Sequence, residues 1–526
     1  MPHILFISHD VVGARMAGPG IRAYELCRVL AREHRVTLAA PQPPDALPEG
    51  VAGHAFTWAD AASLAPALDA ADLIVANGAA LEGHPELAGR PQPLVLDLYD
   101  PTALEHLELL RRAPLNERQA RNAGDVTLLR RQLAAGDMFM CATERQRDLY
   151  LGALLLAGRV TPSLADADAE LRGLLRVVPF GLPEAPPSPP RPALRGVVEG
   201  IGPDNPLLLW SGGLWDWMDP LTLLRALAAL GRPDVRLVFL AGAHPGLARP
   251  PEMPQRARAL AEELGLLGSQ AFFYDEWVPY ERRGDFLQEA DVLVSLHRRH
   301  LESAYAAVRS RFLDHLWAGR ASLLTAGDAA AALVEAHGLG RTAAPGDVAG
   351  VAAGLAALLD DEAKRRACGE RARALAAEFT WGRVAEPLLA YCRAPVRTAA
   401  RAPAAPAGHD QAASAALARL DALWRVEPQP LTSGVPLLGG AKELANSLAR
   451  WYVQGIVQQQ NAFNAAVVQA LSALSARLDA ADDRARWEGR AVWQGLADLH
   501  AVLAALDDAD TDLAARIAGD DPAIGR

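Results

Sequence analysis

The chain has 526 residues, more than one ordinary hydrophobic core accommodates, so two or three domains are expected. Charged residues make up 22% and hydrophobic ones 51%, which excludes a disordered polymer, and the net charge of -11 disfavours general nucleic-acid binding. Of 52 basic residues only Lys364 and Lys442 are lysine and no G-x-x-x-x-G-K-[ST] run exists; this excludes a P-loop NTPase and leaves any phosphate grip to arginine, backbone N–H groups or helix N-termini.

Residues 1–182 alternate short apolar runs with helical patterns. Strands are expected at 3–10 (HILFISHD), 35–41 (RVTLAAP), 72–78, 93–100, 137–144 and 175–181, with a weaker one near residue 54. Continuous apolar runs fit strands buried on both faces of a parallel sheet. Between the first two, Ala23, Leu26, Cys27 and Leu30 share a helical face. Residues 183–205 open with six prolines within 183–192 and read as an interdomain linker. The alternation restarts over 206–378, with strands expected at 206–213, 235–242, 271–278, 291–297 and 321–327 and weakly near Arg341. Helices are expected at 220–230, 254–265, 282–290, 308–318 and 347–359. The pattern predicts an α/β chain with two Rossmann-like domains facing a cleft.

Residues 394–440 read as an Ala/Pro-rich tether, and 441–518 as an α-helical hairpin or coiled coil, a surface for a homo-oligomer or a protein partner. From four scattered cysteines, no signal-like N-terminus and no apolar run of about 18 residues, a cytoplasmic location is expected. The tail's aromatic pair Trp451–Tyr452 suits a position at the inner face of the membrane, although its acidic balance favours helix pairing.

Four clusters are candidates for chemistry. Residues 13–20 (GARMAGPG) lie between the first strand and helix, where Gly18, Gly20 and Arg22 would admit a ligand; a tight packing turn is the alternative. Residues 210–220 follow the first strand of the second half, where Gly212, Gly213 and Trp215 would meet a base or sugar, or pack in the core. In 297–319, Glu302, Arg309, Arg311 and Asp314 combine guanidinium forks for a diphosphate with carboxylates for sugar hydroxyls; an Arg311–Asp314 surface pair is the alternative. Asp97 and Asp100 would orient an acceptor hydroxyl or act as a base, or else start a turn. No His/Cys cluster supports a metal.

Residues 314–328 (DHLWAGRASLLTAGD) resemble the E-A-M-A-x-G-x-P-V-V-x-[ST] segment of family-4 retaining glycosyltransferases, which have the GT-B fold. The 13–31 loop and helix, the VPFG ending at 178–181, the 291–297 strand and residues 379–392 (FTWGRVAEPLLAYC) resemble that family in the same order. The resemblance covers about residues 1–393. It implies transfer of a sugar from a nucleotide-sugar donor to a glycan or lipid-linked acceptor, with retention, in cell-surface polysaccharide synthesis. It implies a crossover helix at 379–393, and a donor site on the second domain with the base near Trp277 and Val278, the ribose near Asp314 and the diphosphate near Arg309, Arg311 and the Gly212–Gly213 turn. It places the acceptor near Gly18, Gly20, Arg22, Asp97 and Asp100, and needs neither cofactor nor metal. The catalytic candidates become Asp100, Glu302 and Arg311.

The chain departs from the family where an Arg and a Lys usually follow the first strand of the second domain. The E-x7-E motif is also altered: Asp314 takes the second position, Ala306 the first, and Glu302 is the nearest upstream acid. Arg309 and Arg311 are expected to replace the missing clamp. A non-catalytic scaffold working through its C-terminal helices, or a GT-B epimerase or phosphorylase, are the competing readings.

Overall fold

The computed structural model describes residues 2–242, 251–305 and 308–398, with Gln460, Asn461, Asn464 and Val467. The chain divides into two units, Met1–Arg401 and Ala402–Arg526. The tether and the helical hairpin expected after residue 394 lie outside the described residues, apart from 394–398 and those four positions.

The first sheet contains β1 (His3–Ile7), β2 (Arg35–Ala40), β3 (Val51–Ala55), β4 (Leu73–Asn77), β5 (Leu94–Asp97), β6 (Met138–Cys141) and β7 (Leu175–Val177). Its seven strands are parallel, in the order β3-β2-β1-β4-β5-β6-β7. The second contains β8 (Leu207–Trp210), β9 (Arg236–Leu240), β10 (Ala271–Tyr274), β11 (Val292–Ser295), β12 (Ala321–Thr325) and β13 (Gly340–Ala343). Its six parallel strands run β10-β9-β8-β11-β12-β13. Every residue of β1, β5, β6, β8, β11 and β12 is buried, because helices cover both faces of each sheet. Strand order reverses between β1 and β4 and between β8 and β11, the points where doubly wound sheets open a crevice at their C-terminal ends.

The second half of the 183–205 segment is packed structure: Ala193, Leu194 and Ile201 are buried with Leu207, Leu209, Phe272 and Phe286. The Glu289 carboxylate accepts the backbone N–H groups of Ala193, Leu194 and Arg195. Leu182 N donates to Phe379 O (2.7 Å) and Trp381 N to Leu182 O (2.8 Å), so the two chain crossings between the sheets run side by side. Trp381 is fully buried 4.9 Å from Phe180, and the helix Glu386–Arg393 buries Leu388, Leu389 and Cys392 against the first sheet's core. Among the described residues, no helix is long and apolar enough to cross a membrane.

Candidate functional site

The polar centre of the molecule gathers at the C-terminal ends of β8 and β11. After Trp210 the chain turns through Ser211, Gly212 and Gly213. Gly212 has φ 93°, a conformation that side chains rarely adopt, and a Cβ there would lie 3.6 Å from Arg311 Cζ. Arg311 stands in the first turn of the helix Ser310–Ala318 and is 9% exposed. Its Nη2 donates to Gly213 O (3.0 Å), and its guanidinium carbon lies 5.8 Å from the Trp210 ring. No described carboxylate bonds to it, and its buried Nη1 has no acceptor. Burial, reinforced by the Arg309 charge, lowers its pKa to about 9.

Arg309, which precedes that helix, is anchored instead: Nη2 donates to Glu302 Oε2 at 2.7 Å, while its Nε is buried without an acceptor. Burial opposes the Arg309 charge, but Glu302 outweighs it and the pKa rises. Glu302 Oε2 also lies 3.5 Å from His300 Nδ1. Asp314 does not pair with Arg311. Its Oδ1 accepts from Arg283 Nε at 3.0 Å, and Arg283 sits between the rings of Tyr280 (3.8 Å) and Trp317 (4.3 Å). Burial raises the Asp314 pKa against the pull of Arg283. The Arg311–Asp314 surface pair is therefore not formed, and Arg311 alone of these two arginines is left without a carboxylate.

The two tryptophans of the turn stack at 5.1 Å with an interplanar angle of 4°. Trp217 is buried core, whereas Trp215 is half-buried and covers the turn, its Nε1 3.2 Å from where a Cβ on Gly213 would be. Trp277 and Val278 follow β10, and Val278 packs partly into the core behind it. Gly242 allows that loop to close, since a Cβ there would come within 2.9 Å of Trp277 Cα.

On the first-sheet side the structure corrects two expectations. Arg22 and Asp97, expected at the acceptor, are 1% and 4% exposed and bond each other through Nε–Oδ2 (2.6 Å) and Nη2–Oδ1 (3.1 Å). Arg22 also donates to Pro179 O and Val178 O, so its donors are used within the fold. The pair holds the end of β5 beneath Tyr99, over whose ring Arg22 lies at 4.6 Å. Gly20 packs against backbone: a Cβ there would lie 2.1 Å from Val11 O, so the tight-turn alternative holds at this position. At Gly18, by contrast, a Cβ would meet Tyr99 Oη at 3.6 Å, an ordinary contact. Asp100 is half-buried, and burial, then the charges of Glu105 and Asp97, push its pKa well above the carboxylate range.

Sequence reasoning missed Glu105, on the helix Thr102–Leu109. Burial, then the charge of Glu302 in the other half, raises its pKa to about 7. Gln146 Nε2 closes the same seam by donating to Tyr99 O and Tyr305 O, both at 2.8 Å. A five-residue offset from Asp100 on the next helix is the only hint of Glu105 in the sequence; its partner lies almost two hundred residues on.

No protein-family model and no curated protein sequence matches the chain. Solved structures do. Sucrose-phosphate synthase from Thermosynechococcus elongatus is 17% identical over 75% of this chain and 98% of its own, at TM-score 0.53. The Anabaena protein HepE, solved in complex with UDP-glucose, is 16% identical over 75% of this chain and all of its own (100%), at TM-score 0.55. WaaG, a glycosyltransferase involved in lipopolysaccharide biosynthesis, is 18% identical over 75% and 100%, at TM-score 0.53. The fold is GT-B. At these identities the likeness establishes the architecture; residue roles must come from the site itself.

Proposed function

We propose that the chain is a glycosyltransferase that moves a sugar from a nucleotide-sugar donor to a glycan or lipid-linked acceptor with retention of configuration, in cell-surface polysaccharide synthesis. One observation carries this reading: the buried Arg311 guanidinium, without a carboxylate, beside a glycine turn at the end of β8. A lone buried cation is costly to keep unless a ligand supplies the counter-charge. A diphosphate does so, and the exposed backbone of a glycine turn suits close approach of its oxygens. A non-catalytic scaffold has no use for such a charge.

In this reading Arg311 neutralises the leaving diphosphate and Arg309, fixed by Glu302, adds its free Nε–H. Trp215 covers the donor, Asp314 stands at the ribose, and Trp277 and Val278 border the base. Asp100, near Gly18, orients the acceptor hydroxyl. The resemblance implies front-face displacement, in which the departing phosphate takes the hydroxyl proton and the protein positions the reactants and stabilises charge on the leaving group. No cofactor is needed for that step. UDP-glucose bound to HepE supports testing uridine donors first.

The test is Arg311→Leu. Removal of an unpaired buried charge leaves the melting temperature unchanged or raised, while affinity for the nucleotide sugar falls about 100-fold, the scale of two charge-assisted hydrogen bonds. Unchanged affinity by calorimetry removes the reading.

A further inference from the structure

Besides Arg311 and Arg309, His300 also carries a buried donor without an acceptor among the described residues. It follows β11 and opens the short helix Leu301–Tyr305. Ser303 N donates to its Nδ1 at 3.1 Å, and Ser303 Oγ to its carbonyl at 2.8 Å. Because Nδ1 accepts, the neutral ring carries its proton on Nε2. That Nε2 is buried, in a side chain only 2% exposed, and has no hydrogen-bond partner among the described residues. The charged groups around the ring are Glu302 and Arg309 from its own half, His297 at the end of β11, and Glu108 from the helix Thr102–Leu109 of the other half. His300 therefore stands at the seam between the halves, with Glu302 and Arg309 beside it.

We propose that His300 is a specificity-determining residue of the donor site, donating Nε2–H to an oxygen of the sugar carried by the nucleotide. The inference rests on the donor reading above. Arg311 and the glycine turn provide charged and backbone donors at the end of β8, which suit the diphosphate. His300 lies toward the first half, where the group beyond the diphosphate meets the acceptor. A neutral N–H donor suits a neutral hydroxyl there, and the Glu302 carboxylate alongside can accept from a neighbouring one. Burial lowers the His300 pKa against the pull of Glu302 and Glu108, which keeps the ring in the donating neutral form at neutral pH.

The experiment compares UDP-, GDP-, ADP- and dTDP-glucose, each with its bare nucleoside diphosphate, by calorimetry on the full chain. Wild type should prefer one sugar nucleotide over its diphosphate. In His300→Leu the bare diphosphate should bind within about twofold of wild type and the sugar nucleotide about tenfold more weakly, the loss of one hydrogen bond. His300→Gln, which restores an N–H at that reach, should recover most of the difference. The preference for the sugar nucleotide should also fade as pH drops below the ordinary imidazole range, because a proton on Nδ1 displaces the Ser303 bond. Equal weakening of both ligands would reduce His300 to a support of its loop and overturn the proposal; so would an unchanged preference. If wild type binds the diphosphates but shows no preference for a sugar nucleotide, this inference fails and the diphosphate grip stands. If it binds none of the eight, the donor reading fails first.

Discussion

Arg309 and Arg311 are two positions apart, yet among the described residues only one has a carboxylate partner. Glu302 reaches Arg309, and Asp314 is taken by Arg283, which leaves Arg311 for a ligand. The residue types were legible in the sequence, since arginines and acids crowd 297–319. Their pairing was not, because Arg283 lies on another helix. Glu105 shows the same limit more sharply. Its pKa of about 7 is raised above the ordinary glutamate value, so the folded state holds a proton that the unfolded chain has released. Its contribution to stability is present below the unfolded value and is lost as pH rises from about 4.5 to about 7. Glu105→Gln should therefore melt like wild type near pH 5 and about 2–4 °C above it at pH 8, by calorimetric scanning. A constant difference across that range would refute the assignment.

At the scale of elements, the parallel strands were readable because both-face burial leaves continuous apolar runs. The helix Gly18–Leu30 was readable from its buried face of Ala23, Leu26, Cys27 and Leu30. What its first turn does was not. Gly18 and Gly20 look alike in sequence, but a Cβ on the first would meet a phenol at ordinary contact distance and one on the second would collide with a carbonyl. Gly20→Ala should cost about 1–3 kcal/mol in urea unfolding, because two stretches of backbone must separate. Gly18→Ala should stay within about 0.5 kcal/mol, as expected where nothing must move. Equal effects would show that the Val11 contact does not govern this turn.

At the scale of the whole molecule, the halves are joined by more than the chain crossings. Tyr280 Oη donates to Glu25 Oε1 at 2.9 Å, and Trp317 Nε1 donates to Ala185 O of the crossing segment at 2.8 Å. Arg283 lies over Tyr280 and holds Asp314, so the proposed ribose site and the contact between halves share one arginine. Both sheets, their covering helices and the site residues fall within Met1–Arg401. Deleting residues 430–526 should accordingly leave the melting temperature and nucleotide-sugar affinity of the cleft intact and alter the oligomeric mass by light scattering. An unchanged mass would deny the tail its proposed role in assembly.

The amino-acid sequence by itself determined the α/β alternation, the two sheets, and the crowding of arginine and acid after β11. Those features follow from local periodicity and composition. It also showed that no lysine lies in the turn after β8, where the family it resembles carries one. Only the tertiary structure decided which charges remain available, because ion pairing depends on distances between residues far apart in the chain. It buried Arg22 against Asp97, joined Arg309 to Glu302, set Glu105 against Glu302 across the seam, and left Arg311 without a carboxylate among the described residues.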